Sequence, residues 1–189
     1  GSAPTKSEGG AVNFDTAAEV YTARYTNETV ALAFALTEEA IEDNLYDRLS
    51  SRYTRALARS MAHTKQVKAA SVLNNGFDST FAGGDGVELF STVHPLQNGS
   101  TFRNEPATAS DLNETSLENA LIDISDFVDE RGLNVALRAM KLIVPSNLQF
   151  VADRLLESDL RTGTSDNDVN AIRNMGMIPQ GYTVNHFLT

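Results

Sequence analysis

The sequence predicts an α+β fold on three observations: strict apolar alternation between Val12 and Leu36, a Pro- and Gly-free run from Thr37 to Asn74, and helix patterns alternating with strand patterns from Thr115 to Leu188. In the first segment, Val12 and Phe14 face one way. Val30, Leu32, Phe34 and Leu36 alternate with Ala31, Ala33 and Ala35. Between them Glu19 to Tyr25 places Tyr21, Ala23 and Tyr25 on one side, and Asn27-Glu28 supplies a hairpin turn. The small alanine face implies an antiparallel ribbon lying on another surface, since an isolated hairpin is marginal in water.

Thr37 is a good helix N-cap, and Glu38, Glu39, Glu42 and Asp43 place acid in the first turns, where the helix dipole favours it. The pattern predicts one helix of about 37 residues, on the order of 55 Å long. At about 100° per residue, Arg48, Arg52, Arg55 and Arg59 fall within an arc of roughly 60°. Leu49, Tyr53, Leu57 and Met61 form the adjacent apolar stripe. Residues 76–106 are rich in Gly, Ser, Thr and Asn, with a short β-like piece at Val87–Phe90 and turns at Asn75-Gly76, Gly83-Gly84 and Asn98-Gly99. A helix is predicted from Thr115 to Arg131, with a Thr115/Glu118 capping box and a stop at Gly132. Lys141–Pro145 reads as a buried strand, Ser146/Gln149 as the cap of a helix through Ser158, Ser165 to Met175 as a short helix stopped by Gly176, and Tyr182 to Leu188 as a closing strand.

Composition bounds the function. The 189 residues carry 25 acids against 15 bases, a net charge of −10, with no Cys. Zero Cys removes disulfides, Cys-ligated zinc, iron–sulfur clusters and thiol nucleophiles together. No 18-residue stretch is apolar enough to span a bilayer, and the first residues do not resemble a signal peptide. The acidic total argues against a simple nucleic-acid binder, but the charge is segregated. Residues 1–47 are net −7, residues 48–73 are net +6 with no acid, and the remainder is net −9. Like charges four apart repel, so an arginine stripe without a compensating carboxylate points to an external anion, either an acidic surface of another subunit or a nucleic-acid backbone.

Searches for chemistry return little. His63, His94 and His186 are far apart in sequence and carry no metal-ligand spacing, so each reads as structural. Gly83-Gly84-Asp85-Gly86 lacks the setting of a phosphate loop. Asp166 to Asn170 starts like a calcium loop but has Ala171 and Met177 where Gly and Glu are required. The sequons at Asn27, Asn98 and Asn113 carry no weight without a secretory signal. No cofactor, metal or catalytic residue is assigned.

The succession of motifs is similar to tailed-bacteriophage major capsid proteins. Thr37–Tyr46 feeding Arg55–Ser60, then Leu89–Leu96, Glu114–Leu121, Leu142–Pro145, Ala152–Leu156, Met175–Pro179 and Tyr182–His186 resemble that family collinearly, from about residue 4 onward. The resemblance implies a Hong Kong 97-type capsid fold: residues 1–36 as the extended loop and β-ribbon, 37–110 as spine helix and peripheral domain, and 111–189 as the N-terminal portion of the axial domain. It implies a partial chain, because family members carry an arm and an ascending loop strand before this start and continue beyond Thr189. The lysine–asparagine cross-link of some relatives is not carried over to Lys6, whose partner region has no match here. As function it implies an icosahedral shell protein that self-assembles into pentamers and hexamers around double-stranded DNA. Its partners would be neighbouring capsid subunits, non-specific DNA, and scaffold or portal proteins, with no membrane. Assembly would occur in the bacterial host cytoplasm, and Arg48, Arg52, Arg55 and Arg59 would face a subunit or DNA. The alternatives are an encapsulin-like nanocompartment shell, a hydrolase built on His94 or His186 with nearby acids, or a free nucleic-acid binder acting through the arginines.

Overall fold

A computed structural model describes residues 3–12, 14–15, 20–43, 46–161, 165 and 168–189, with the side chains of residues 46–48 also outside the description. It mixes helices with two small sheets, an α+β architecture.

Among the described residues, the first 36 form no strand. The β-ribbon expected there is corrected to an arm without regular strands among its described residues. Its alternation is real, but the alternating residues are not buried: Val12, Phe14, Tyr25, Leu32 and Phe34 all stay exposed. A strand needs one face buried to hold its register. The start of the expected strand at Glu19 lies outside the described residues.

The single long helix is also corrected. Helix α1 spans Glu38–Glu42, with Thr37 Oγ1 accepting from Ala40 N at 3.4 Å and Asp43 as its C-cap. Helix α2 spans Tyr46–Asn74. Glu38/Glu42, Glu39/Asp43 and Asp43/Asp47 are like-charged pairs four residues apart, which weakens helix where α1 ends at Asp43; residues 44–45 lie outside the described residues. The arginine-bearing helix begins beyond most of that run.

After α2 the chain turns at Gly76, whose carbonyl accepts from Phe90 N at 2.8 Å. The Phe90 ring lies against this glycine, and a Cβ built there would come within 2.5 Å of the ring and 3.0 Å of the Leu73 carbonyl. Gly76→Ala is therefore expected to cost about 2 kcal/mol through overpacking, read as a lowered denaturant midpoint. The strand expected at Val87–Phe90 is instead a series of bends, with Gly83 N donating to Val87 O at 2.7 Å. Strands β1 (His94–Pro95) and β2 (Thr101–Phe102) pair antiparallel, joined by the Asn98-Gly99 turn where Gly99 adopts φ +82°.

Helix α3 runs over Glu114–Ser125. Its capping box uses Asn113 and Ser116, not the expected Thr115 and Glu118: Ser116 N donates to Asn113 Oδ1 and Asn113 N to Ser116 Oγ, both at 2.9 Å. The helix ends six residues early. Asp129 Oδ1 accepts from the backbone of Arg131 and Leu133, a local alternative to helix that folds residues 127–135 back on themselves.

Strand β3 (Leu142–Val144) pairs parallel with β4 (Tyr182–Val184), Leu142 opposite Tyr182. The crossover holds α4 (Gln149–Glu157) and α5 (Ala171–Asn174). The expected Ser146/Gln149 cap is absent. A 3₁₀ turn over Ser146–Leu148 leads straight into α4. The short helix begins at Ala171, capped by Asn170, not at Ser165, and the preceding Asp166 and Asn167 lie outside the described residues. Gly176 stops it as expected, at φ +59°. The closing strand ends at Val184, four residues short of Leu188.

One core forms from Leu117 and Leu121 of α3, Leu155 and Leu156 of α4, and Ile172 of α5, with Leu142 and Tyr182 from the sheet packed against it. The i, i+4 spacing of Leu117 and Leu121 puts both on one helix face. The buried Asn170 ties the crossover together: its Nδ2 donates to Leu155 O at 2.8 Å and Ser158 O at 3.0 Å, while Oδ1 accepts from Arg173 N. Among the described side chains, helix α2 contributes only Ala70 to the buried apolar residues, and it is held at its far end, where Asn74 Nδ2 donates to Phe187 O at 2.9 Å.

Candidate assembly surface

The cationic surface follows from helix geometry. Arg52, Arg55 and Arg59 lie on the continuous helix α2, spaced three and four residues apart, and all three are exposed. None forms an ion pair with a described residue. The Arg48 backbone is in the same helix, but its side chain lies outside the described residues. The neighbouring apolar stripe is covered only in part. Leu49, Leu57 and Met61 are half-buried, while Tyr53 is exposed and meets Phe34 of the arm with ring centroids 5.5 Å apart. Further along, Glu28 of the arm pairs with Lys68, and the hydrogen bond and charge of that ammonium hold the Glu28 carboxyl below its ordinary value.

Exposed apolar side chains run along the whole chain, from the arm to Ile122, Phe150 and Met175. Phe14 is 96% exposed and Tyr25 93%. Tyr25 lines an open cleft of about 310 Å³ with Val72, Phe81 and Leu89, themselves exposed apolar side chains. The chain as a whole exposes 14283 Å². A monomeric globular protein of 20.5 kDa exposes about 8,800 Å². The excess is more than half the expected value, and a surface that leaves large apolar side chains such as Phe14, Phe150 and Met175 uncovered is suited to contact with other chains.

The histidines offer no comparable site. His94 Nδ1 meets Asp85 Oδ2 at 2.6 Å and Nε2 meets Asn104 Oδ1 at 3.1 Å. The Asn104 amide is oriented by Nδ2 donating to Leu89 O at 2.7 Å and Oδ1 accepting from Ser91 N at 2.9 Å. Both ring nitrogens therefore face acceptors, which fixes the ring within the loop. This network closes the loop between residues 85 and 104, which the sequence marks only by its turn residues. His186 is exposed, and His63 stacks edge-on against Phe187 at 5.3 Å. Among the described residues there is no group of three His, Asp or Glu able to hold a metal.

Burial pushes the Asp85 carboxyl upward, but the His94 hydrogen bond, the Val87 N–H and the imidazole charge outweigh it and leave it below its ordinary 3.8. A carboxyl lowered in the folded chain stabilises fully above its unfolded value and loses that contribution as pH falls through the folded one. Asp85→Asn is therefore expected to flatten the fall in stability at pH values below about 4, measured as melting temperature against pH.

Comparison with known families accords with this surface. A sequence model of the phage capsid protein family matches residues 20–188, nearly the whole chain, and the chain belongs to that family. It is a structural capsid protein, assembling with other capsid subunits in the virion. No curated protein and no solved structure matches it. Among the described residues no helix is long and apolar enough to cross a membrane.

Proposed function

We propose that the chain is the major capsid protein of a tailed bacteriophage, with a Hong Kong 97-type fold. It self-assembles into pentamers and hexamers of an icosahedral shell enclosing double-stranded DNA, forms in the host cytoplasm, and meets scaffold or portal proteins there. Residues 1–36 serve as the extended loop, 37–110 as spine helix and peripheral domain, and 111–189 as the beginning of the axial domain. The observation that carries the reading is the 14283 Å² of exposed surface, far more than an isolated chain of this mass keeps. The order of elements supports it: an arm without regular strands among its described residues, a long helix with little buried apolar surface, then a compact helix and sheet unit with the core.

On this reading the protein works by geometry and has no catalytic step. The arm lies across a neighbouring subunit and buries its apolar side chains there, while the arginine face of α2 meets an anion, on a subunit or on DNA. Nuclease-protected double-stranded DNA inside native particles is the expected result. Particles that hold protein cargo and no nucleic acid would instead support the encapsulin-like nanocompartment reading.

A further inference from the structure

We infer that the arginine face of α2 binds the acidic α1 turn of a second copy of this chain. The inference rests on the shell reading above and names the partner of that cationic surface.

Four exposed acids, Glu38, Glu39, Glu42 and Asp43, sit on and just after the five-residue helix α1. No ion pair joins any of them to a described residue. Three exposed arginines, Arg52, Arg55 and Arg59, begin nine residues later, equally without a carboxylate partner among the described residues. Among the described residues the chain thus carries two complementary charge sets that do not pair with each other within one copy. Each set also brings like charges together, with Glu38/Glu42 and Arg55/Arg59 four apart on helical backbone. An opposing helix relieves both repulsions at once.

The spacing fits. Glu38 and Glu42 are separated by about 6 Å along their helix axis, and Arg55 and Arg59 by the same distance. Two carboxylate–guanidinium pairs can therefore form in register, each able to be bidentate, a geometry that arginine offers and lysine does not. Duplex DNA fits less well. Its phosphates would approach a helix flanked in sequence by segments of net −7 and −9, and those segments repel a polyanion. The contact is also heterologous: one copy gives its acidic turn and the next gives its arginine face. Such a contact leaves a free half at each end until a ring closes, as a capsomer requires.

Charge exchange in the full-length chain tests the pairing, with assembly followed by sedimentation velocity and folding by far-ultraviolet circular dichroism. Arg55→Glu/Arg59→Glu is expected to raise the concentration needed for assembly about tenfold or more, with helix content unchanged. Glu38→Gln/Glu42→Gln, which keeps side-chain length and avoids a cation at the helix N-terminus, is expected to do the same. An equimolar mixture of Arg55→Glu/Arg59→Glu with Glu38→Arg/Glu42→Arg is expected to co-assemble, because each then supplies the charge the other lacks. Unchanged assembly of either double variant beside an assembling wild type overturns the pairing and leaves the shell reading standing. The pairing is equally overturned if the arginine reversal abolishes DNA retention in particles that still assemble. A wild-type chain that never associates overturns both.

Discussion

Truncating Leu155 to alanine is expected to destabilise the chain by about 3 kcal/mol, lowering its melting temperature by roughly 6–12 °C. The size follows from how little core there is. Only eight apolar residues are buried among those described, and five of them meet in one cluster where Leu155, at 6% exposure, packs with Leu117, Leu121, Leu156 and Ile172. Removing its isobutyl group leaves a cavity lined by leucine and isoleucine, with few other contacts to take up the loss. Leu89→Ala, at a 42% exposed position outside the cluster, is expected to cost under about 1 kcal/mol. Equal effects at both sites would contradict the placement of the core within α3, α4 and α5.

Replacing Phe14, Tyr25 and Leu32 together with serine is expected to act in the opposite manner. All three lie on the arm and are more than half exposed, so the isolated subunit should lose no more than about 0.5 kcal/mol. Assembly should suffer heavily. Burying one such side chain contributes about 1.5–3 kcal/mol, so three per contact correspond to about a thousandfold or more in association. Normal assembly with a destabilised monomer would show that the arm packs on its own subunit and not on a neighbour.

Much of the second half of the chain was legible in its sequence. Lys141–Pro145 and the stretch from Tyr182 fit the strands that pair in the structure, and Gly176 and Asn98-Gly99 mark turns where they occur. Local chemistry sufficed at these places. The boundaries failed where competing local bonds decide: Asn113 displaced Thr115 as cap, and Asp129 diverted the end of α3 into a turn. The arm failed for another reason. Its period of two is visible, but a strand also needs a partner, which no reading of one chain supplies. At the candidate surface, the arginine stripe was readable from helical spacing because α2 is helical throughout. The interruption before it was readable in principle from the acids at 38, 39, 42, 43 and 47, whose mutual repulsion a simple absence of Pro and Gly conceals. The Asp85–His94–Asn104 network was not legible, since it joins residues up to 19 apart through loop geometry.

The central claim is that this surface exists to be covered by other copies. Sedimentation velocity of the purified full-length chain over a range of concentrations, with electron microscopy of the heavy fraction, measures it most directly. The expected result is conversion from a slow species into closed particles of uniform size once a threshold concentration is passed. A single monomeric boundary at every concentration, with no particles on the grid, would contradict the account.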